Sequence, residues 1–290
     1  MERSAFAGLS RLVVGVLGLG LVLATGGVAR AEDNLSPEEI IKAAFDRNVL
    51  GFSAGQATLK MEIHTPKGDI RLHDLEVQAL KSAEGLARTI VRFRSPDEVA
   101  GTAFLMRQRE LGPPEQYVYL PKFQKVRTVT ATQLYNKLLG SDFSYIDLTP
   151  IPTDPSQVRL KRLSDVKIGG FDTYAIEATP LVPGSPYSAI TAYIRKDVLV
   201  PVRLEFRGLD GRIVKVLNVK RMRMEGKSLV PIEVEMKNVV EGSQTLLKVE
   251  SVNLGAGLKD EDFSAEKLGG PNGKPTNVDK APEPTGGTQK

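Results

Sequence analysis

The side chains best suited to acid–base or metal chemistry in this 290-residue chain are two histidines and a pair of aspartates. His64 and His73 are the only histidines, and there is no cysteine. A triad or a metal site would need them together, but the strand pattern described below places them on opposite faces of a sheet. Asp142 and Asp147 lie in a predicted turn, where capping is a simpler role than acid catalysis. We therefore predict no enzyme activity, no bound metal and no cofactor.

Bulky apolar side chains in neighbouring predicted strands suggest non-covalent binding instead. Such side chains line pockets for acyl chains, and methionine adapts to irregular ligand shapes. An ordinary hydrophobic core would use the same residue types, so both interpretations stay open. The candidate cavity residues are Met61, Leu75, Val91, Phe93, Phe104, Met106, Tyr117, Tyr119, Phe143 and Tyr145.

A group of basic residues is the second candidate for surface chemistry. Lys122, Lys125 and Arg127 follow one another closely, and Arg107 lies on a neighbouring predicted strand. Together they could contact anionic lipid headgroups or an acidic partner. The alternative is a solvated face of a strand without a partner.

The elements that must position these residues begin with one helix. Ser36 and Glu39 form a capping box, with Pro37 at the first helical position. At helical spacing there follow Ile40, Ala43, Ala44 and Arg47. The period then changes to two, and residues 57–64 alternate between apolar and polar as in a half-buried strand.

The turn around Gly68 predicts a hairpin between this strand and the next. Pairing Leu59 with Val77, Met61 with Leu75 and Ile63 with His73 brings the apolar residues together and leaves the three-residue loop 67–69. This register turns His64 away from His73.

Further alternating runs predict about a dozen antiparallel strands in one large curved sheet. They span residues 87–94, 102–109, 116–120, 125–130, 158–163, 173–179, 189–195, 201–207, 212–219, 231–240 and 245–252. A second short helix is possible between Thr130 and Ser141. One helix and a few loops cannot cover the apolar face of such a sheet, so the sheet either closes on itself or leaves that face for a ligand.

The two ends of the chain read as processing and solvation segments. Arg3 and Arg11, the apolar run from Leu12 to Ala24 and the small residues Ala29 and Ala31 are typical of a cleavable signal peptide, residues 1–31. Those residues carry three of the 39 basic and one of the 35 acidic side chains, so the remainder has a net charge of only +2 and offers nucleic acid little attraction. Residues 269–290 are rich in Gly, Pro and polar residues and predict a disordered tail. A single domain, residues 32–268, lies between.

Two segments resemble the signature of the LolA-like outer-membrane lipoprotein-sorting family. The first comprises Tyr119-Leu120-Pro121 and the Lys125-Val126-Arg127 element, and the second is Gly140 to Leu148. The family-motif residues within the second are Gly140, Ser141, Asp142, Phe143, Tyr145 and Asp147. Weaker similarity upstream and downstream extends the resemblance over most of residues 32–268.

The resemblance implies a mainly β fold with a few helices: an unclosed β-barrel, or curved antiparallel half-barrel, with a helical lid over a hydrophobic cavity. It also implies a monomeric periplasmic carrier that shields the acyl chains of lipids or lipoproteins. Since the sequence has no cysteine to carry a lipid, we do not expect the carrier itself to be a lipoprotein. Its partners would be an inner-membrane transporter and an outer-membrane acceptor. The alternatives are a periplasmic sensor or regulatory module of the same fold, and an envelope-assembly β-domain with a filled core.

Overall fold

The computed structural model describes residues 34–45, 54–226, 228–269 and 278–279, and its helices and strands belong to the compact unit Leu35–Lys290. The predicted signal peptide lies outside the described residues. The elements are α1 (Pro37–Phe45), β1 (Ala54–His64), β2 (Ile70–Lys81), β3 (Ala87–Ser95), β4 (Ala103–Arg107), β5 (Glu115–Leu120), β6 (Lys125–Thr128), β7 (Val158–Arg162), β8 (Val166–Ile168), β9 (Phe171–Pro180), β10 (Tyr187–Arg195), β11 (Pro201–Gly208), β12 (Ile213–Glu225), β13 (Ser228–Asn238), β14 (Ser243–Asn253) and β15 (Val278–Asp279).

The described strands form one sheet made of two antiparallel meanders. The order is β15-β6-β5-β4-β3-β2-β1-β14-β13-β12-β11-β10-β9-β7, with β8 also paired to β9. The chain therefore builds outward from β1 to one edge, crosses over, and returns from the other edge to β14, which pairs with β1. Residues 129–157, here called the crossover segment, make that connection. The sheet is curved and does not close into a barrel, which confirms the predicted fold class.

The hairpin of β1 and β2 is confirmed, but its predicted register is wrong by two residues. Leu59 pairs with Leu75, Met61 with His73, and Ile63 with Arg71. The turn is longer than expected because the Thr65 amide donates to the Asp69 carbonyl and the Asp69 amide donates to Thr65 Oγ1. A shift of two keeps every side chain on its predicted face, since the side-chain period of a strand is two.

The first helix forms with the capping box that its sequence predicts. The Ser36 amide donates to Glu39 Oε2 over 2.8 Å, and the Glu39 amide donates to Ser36 Oγ over 3.1 Å. Between Thr130 and Ser141 the chain makes only a three-residue 3-10 turn, Ala131–Gln133. The crossover segment is therefore mostly irregular. Among the described residues, α1 is the only α-helix.

Three apolar clusters hold these elements together. The largest lies on the concave face, between both meanders and the crossover segment. A second lies on the opposite face of β3 to β6, where Phe263 and Leu268 are fully buried against residues such as Leu105 and Val126. The third packs α1, through Ile40 and Ile41, against β9 and β10.

Only a small part of the predicted tail is described. Val278 and Asp279 pair in parallel with Val126 and Arg127 of β6. Residues 270–277 and 280–290 lie outside the described part of the chain, so the prediction of disorder there is untested.

Candidate functional site

The main candidate site is a cavity of about 730 Å³ between the concave face of the sheet and the crossover segment. This volume lies within the usual range for small-molecule pockets of about 300–1,000 Å³. Strands from both meanders supply one wall, and residues 131–154 supply much of the other. The core on this face is therefore not completely filled.

The cavity wall is dominated by aliphatic and aromatic side chains. On β14, Leu247 and Val249 point inward yet are only half-buried, whereas Leu59 and Met61 on the adjacent β1 are almost fully buried. Leu247 and Val249 are less buried because they border the unfilled part of the cavity. The wall includes Leu59, Met61, Leu75, Val77, Val91, Leu134, Leu138, Phe143, Tyr187, Ile190, Leu204, Phe206, Leu217, Val234, Leu247 and Val249.

The predicted family motif fastens the crossover segment to β14. Asp142 is buried, and its amide donates to Thr245 Oγ1 over 2.9 Å. The Thr245 hydroxyl donates to Asp142 Oδ2 over 2.8 Å, and the Ser243 hydroxyl donates to Oδ1. Ser141, with no exposed surface, donates its hydroxyl to the Leu138 carbonyl over 2.7 Å. These hydrogen bonds attach the crossover segment to β14 and are here called the Asp142 clasp.

A second clasp joins the same segment to β12. Asp147 Oδ2 accepts hydrogen bonds from the Ser144 amide (2.7 Å) and hydroxyl (2.8 Å), which confirms the predicted capping role for Asp147 but not for Asp142. It also accepts one from Lys215 Nζ at 2.8 Å, and both charged side chains are more than nine-tenths buried. Burial alone would lower the pKa of Lys215, but the attraction of Asp147 outweighs it and raises that pKa above 10.5. The lysine thus stays charged beside an apolar cavity.

Aromatic rings surround this ion pair. Lys215 Nζ lies 5.2 Å from the Phe206 ring centre and 6.0 Å from that of Tyr187, distances at which a cation is attracted to a ring face. Both rings line the cavity. Burial also raises the pKa of Tyr187, so its hydroxyl stays protonated.

Gly140 has a conformational role in the motif. Its φ is +78°, and the preceding Leu139 also has a positive φ of 46°. Glycine accepts this left-handed conformation without the steric cost that other residues carry. The reversal allows Leu138 and Phe143 to turn back onto the sheet, where both line the cavity.

At one side of the cavity the two halves of the sheet meet through a polar bridge. Gln157 Nε2 donates to the Gly112 carbonyl over 3.0 Å and to Asp154 Oδ2 over 2.9 Å. Hydrogen bonds from Gln157 and Ser156 lower the pKa of Asp154 to about 2, so this carboxylate is ionised at neutral pH. The bridge links the β4–β5 loop to the residues that precede β7.

The structure brings some predicted cavity residues to the cavity and places others elsewhere. Met61, Leu75, Val91 and Phe143 line it. Phe93, Phe104 and Tyr145 pack in the same concave cluster, behind the wall, as a chain of edge-to-face rings whose centres lie 6.1 and 5.2 Å apart. Met106 is buried, and it also is not a wall residue.

Tyr117 and Tyr119 lie on the other face of the sheet. They pair with Leu105 and Ala103 and belong to the cluster covered by Phe263 and Leu268. The alternation of β4 requires this, because Phe104 and Leu105 must face opposite ways. These two tyrosines therefore do not reach the cavity.

The predicted basic residues do not form one patch. Lys122, Lys125 and Arg127 are exposed around the β5–β6 turn, with the Arg127 guanidinium 5.7 Å from the Phe123 ring centre. Arg107 pairs with Glu115 at the other end of β5, roughly 16 Å away along the strand. The Arg107 guanidinium lies 3.9 Å from the Asp260 carboxylate.

Sequence reasoning missed the wall contributed by β10 to β14 and the clasp partners Ser243, Thr245 and Lys215. Alternation along β14 could have identified Leu247 and Val249 as inward-facing. The clasps carry no local signal, because Asp142 and Ser243 are 101 residues apart in sequence.

Other site classes find little support in the described residues. No group of three or more histidine, aspartate or glutamate side chains there could hold a metal ion. Within the same residues, no helix is long and apolar enough to cross a bilayer. His73 is buried on the concave side, whereas His64 is half-buried near Glu62.

Comparison with protein-family models shows the family to which the chain belongs. A family model described as "Uncharacterized protein" matches residues 85–269, well over half of the chain. The chain belongs to this family. No protein of curated function matches the sequence.

Similar solved structures identify the fold of this chain. The chain is similar to a domain described as an outer membrane lipoprotein-sorting protein from Vibrio parahaemolyticus, with 24% identity, a TM-score of 0.73 and coverage of 80% of this chain and 97% of that one. It is similar to a DUF1329 family protein from Desulfovibrio piger (20% identity, TM-score 0.71, coverage 80% and 97%) and to a LolA superfamily protein from Nitrosomonas europaea (18%, 0.62, 79% and 98%). The fold of this chain is therefore LolA-like, as the sequence resemblance predicts.

Proposed function

We propose that the protein is a periplasmic carrier that binds the acyl chains of lipids or lipoproteins in the cavity. The observation that carries this proposal is the apolar cavity of about 730 Å³ between the concave face and the crossover segment. Each methylene moved there from water contributes roughly 0.8 kcal/mol, so an acyl chain gains much of its affinity from burial alone. The transfer is non-covalent.

The fold supports the same class of ligand. The structural neighbours include a domain described as lipoprotein-sorting and a LolA superfamily protein. A carrier must release its ligand, and the mostly irregular crossover segment, fixed by two polar clasps, is the element whose displacement would open the cavity. The proposed partners are an inner-membrane donor and an outer-membrane acceptor.

The test is native mass spectrometry with lipid extraction on the protein purified from a periplasmic fraction. We expect co-purifying phospholipid or acylated peptide. Replacing Leu247 with Phe should reduce lipid occupancy, because the larger ring occupies cavity volume that the ligand needs.

Leu246→Phe is the matched control for this substitution. Leu246 is the neighbouring half-buried residue on the opposite face, so its enlargement should leave occupancy unchanged. Protein free of lipid, and unable to take it up on incubation, would overturn the proposal. Equal loss in both variants would show that the ligand is not in this cavity.

A further inference from the structure

Bulky apolar side chains are exposed on three neighbouring hairpins at one end of the sheet. Leu209 in the β11–β12 turn is 77% exposed, and Val240 in the β13–β14 turn is 73% exposed. Ile70 and Leu72, at the start of β2, are 58% and 62% exposed, and Val239 is 57% exposed. These five residues are here called the tip surface.

Strand pairing places these separate turn tips next to one another at one end of the sheet. Ile70 pairs with His64, and His64 pairs with Gln244, next to the β13–β14 turn. The Val239 amide donates to the Val214 carbonyl over 2.9 Å, which ties that turn to the start of β12 and hence to Leu209. Neighbouring strands are about 4.8 Å apart, so the five side chains occupy a few strand widths.

The charge around the tip surface is positive. Residues 65–72, 207–213 and 237–242 contain five basic and three acidic side chains. Among the acidic ones, Glu241 is already paired with Lys137 of the crossover segment. Arg207 and Lys237 lie near Glu205 and Glu235, and Arg212 lies 3.9 Å from Asp210. Lys67 and Arg71 therefore present most of the surplus charge.

The tip surface adjoins the rim of the cavity. Ser188, at the start of β10, donates its hydroxyl to the Gly208 carbonyl over 2.6 Å, next to Leu209. The preceding β9–β10 loop contributes Val182, Pro183 and Ser185 to the cavity wall. A surface that met the tips would therefore lie beside this rim.

We propose that the tip surface docks onto a bilayer whose headgroups are anionic. Separate turn tips, each with one or two aliphatic side chains among basic residues, suit shallow insertion between headgroups, where buried apolar area and charge attraction add. A partner protein with a fixed groove would favour a continuous apolar face. This proposal rests on the carrier function and names the kind of surface from which ligand is taken or to which it is delivered.

The test is co-sedimentation of the chain beginning at Glu32 with vesicles, because an uncleaved apolar leader would itself partition. One set contains phosphatidylethanolamine and phosphatidylglycerol, and the other contains phosphatidylcholine alone. We expect preferential binding to the anionic set, weakened by salt. Leu209→Ser combined with Val240→Ser should lower that binding at least about tenfold.

The matched control combines Leu111→Ser with Met224→Ser, at sites that are 73% and 58% exposed in turns or strands outside the tip surface. It should bind like the parent. Lys67→Glu with Arg212→Glu should abolish the preference for anionic vesicles, whereas Lys167→Glu with Lys259→Glu should retain it. Equal losses of vesicle binding in test and control variants would overturn the assignment of membrane docking to the tip surface.

Two further outcomes separate this inference from the carrier proposal. If the tip variant loses vesicle binding but keeps its co-purified lipid, both proposals are supported. If the parent carries lipid but binds neither vesicle set, the docking proposal fails and the carrier proposal stands. A parent that is dimeric in analytical ultracentrifugation, and monomeric once the tips are changed, would identify a second copy as the occupant and overturn docking to the bilayer.

Discussion

At the scale of single residues, His73 is a buried base with one ring nitrogen unused. The side chain is 6% exposed, and within the described residues its Nδ1 has no hydrogen-bond partner. Its ring packs edge-to-face against Phe93, with the ring centres 5.6 Å apart. Burial, and next the charge of Arg71, lower the pKa of His73 below 6.5, while Glu98 opposes them.

The lowered pKa makes stability depend on pH. Because the folded pKa is below the unfolded value, the contribution is complete above about pH 6.5 and is lost as pH falls through the folded pKa. We expect His73→Leu to flatten the loss of thermal stability on acidification below pH 6.5. Melting curves across that range for both proteins measure the effect, and parallel curves would contradict it.

Lys215 and Asp147 form the buried ion pair beside the cavity. Lys215→Met leaves the Asp147 carboxylate buried without its cation, so we expect a loss of about 3–5 kcal/mol in the free energy of unfolding. Adding Asp147→Asn removes the uncompensated charge and should recover part of the loss. Urea unfolding of both variants provides the measurement, and a double variant less stable than the single one would count against this account.

The same ion pair predicts that the folded state becomes less stable at strongly alkaline pH. The raised pKa of Lys215 gives a contribution that is complete below about pH 10.5 and is lost as pH rises through the folded pKa. The protein should therefore lose more stability than Lys215→Met between neutral pH and strongly alkaline pH. Unfolding midpoints at the two extremes would test this.

At the scale of elements, the crossover segment is held by side chains more than by its own secondary structure. Asp142 accepts two hydroxyl hydrogen bonds from β14, and the Asp147 clasp reaches β12. A segment fixed in this way can open without unfolding the strands beneath it, because few of its backbone hydrogen bonds belong to the sheet.

We expect Asp142→Ala to lower stability by about 1–3 kcal/mol, since Ser243 and Thr245 lose their acceptor in a buried site. Amide hydrogen exchange should rise in residues 129–157 and remain slow in β12 to β14. Ser36→Ala is the control: it removes the cap of α1, costs about 1 kcal/mol, and should leave exchange in the crossover segment unchanged. Uniform acceleration in both variants would mean that the segment does not open independently.

At the scale of the whole molecule, the sheet is an incomplete enclosure. Its two meanders join at β1 and β14, and the crossover segment covers the concave face without filling it. An unfilled apolar cavity forgoes packing contacts that a ligand would supply. Ligand binding should therefore stabilise the folded state.

We expect removal of bound lipid to lower the melting temperature and its return to restore it. A ligand at 100 times its Kd stabilises by about 2.7 kcal/mol. Differential scanning calorimetry of delipidated and reloaded protein measures the shift, with Leu247→Phe as a variant that should respond little. An unchanged melting temperature in the parent would argue against a ligand in the cavity.

The sequence by itself determined the local architecture. Alternation located most strands within a few residues, and Ser36 with Glu39 specified the start of α1, because side-chain period and capping depend on neighbours along the chain. It also indicated too little cover for the apolar face. For the same reason His64 and His73 were assigned to opposite faces even though the predicted register of their hairpin was wrong.

Only the tertiary structure decided which residues meet across the sheet. The pairing of β1 with β14, the half-buried wall at Leu247 and Val249, and the link from Asp142 to Ser243 join residues far apart in sequence. It likewise placed Tyr117 and Tyr119 behind the sheet. Such contacts depend on long-range pairing and sheet curvature, which local periodicity does not encode.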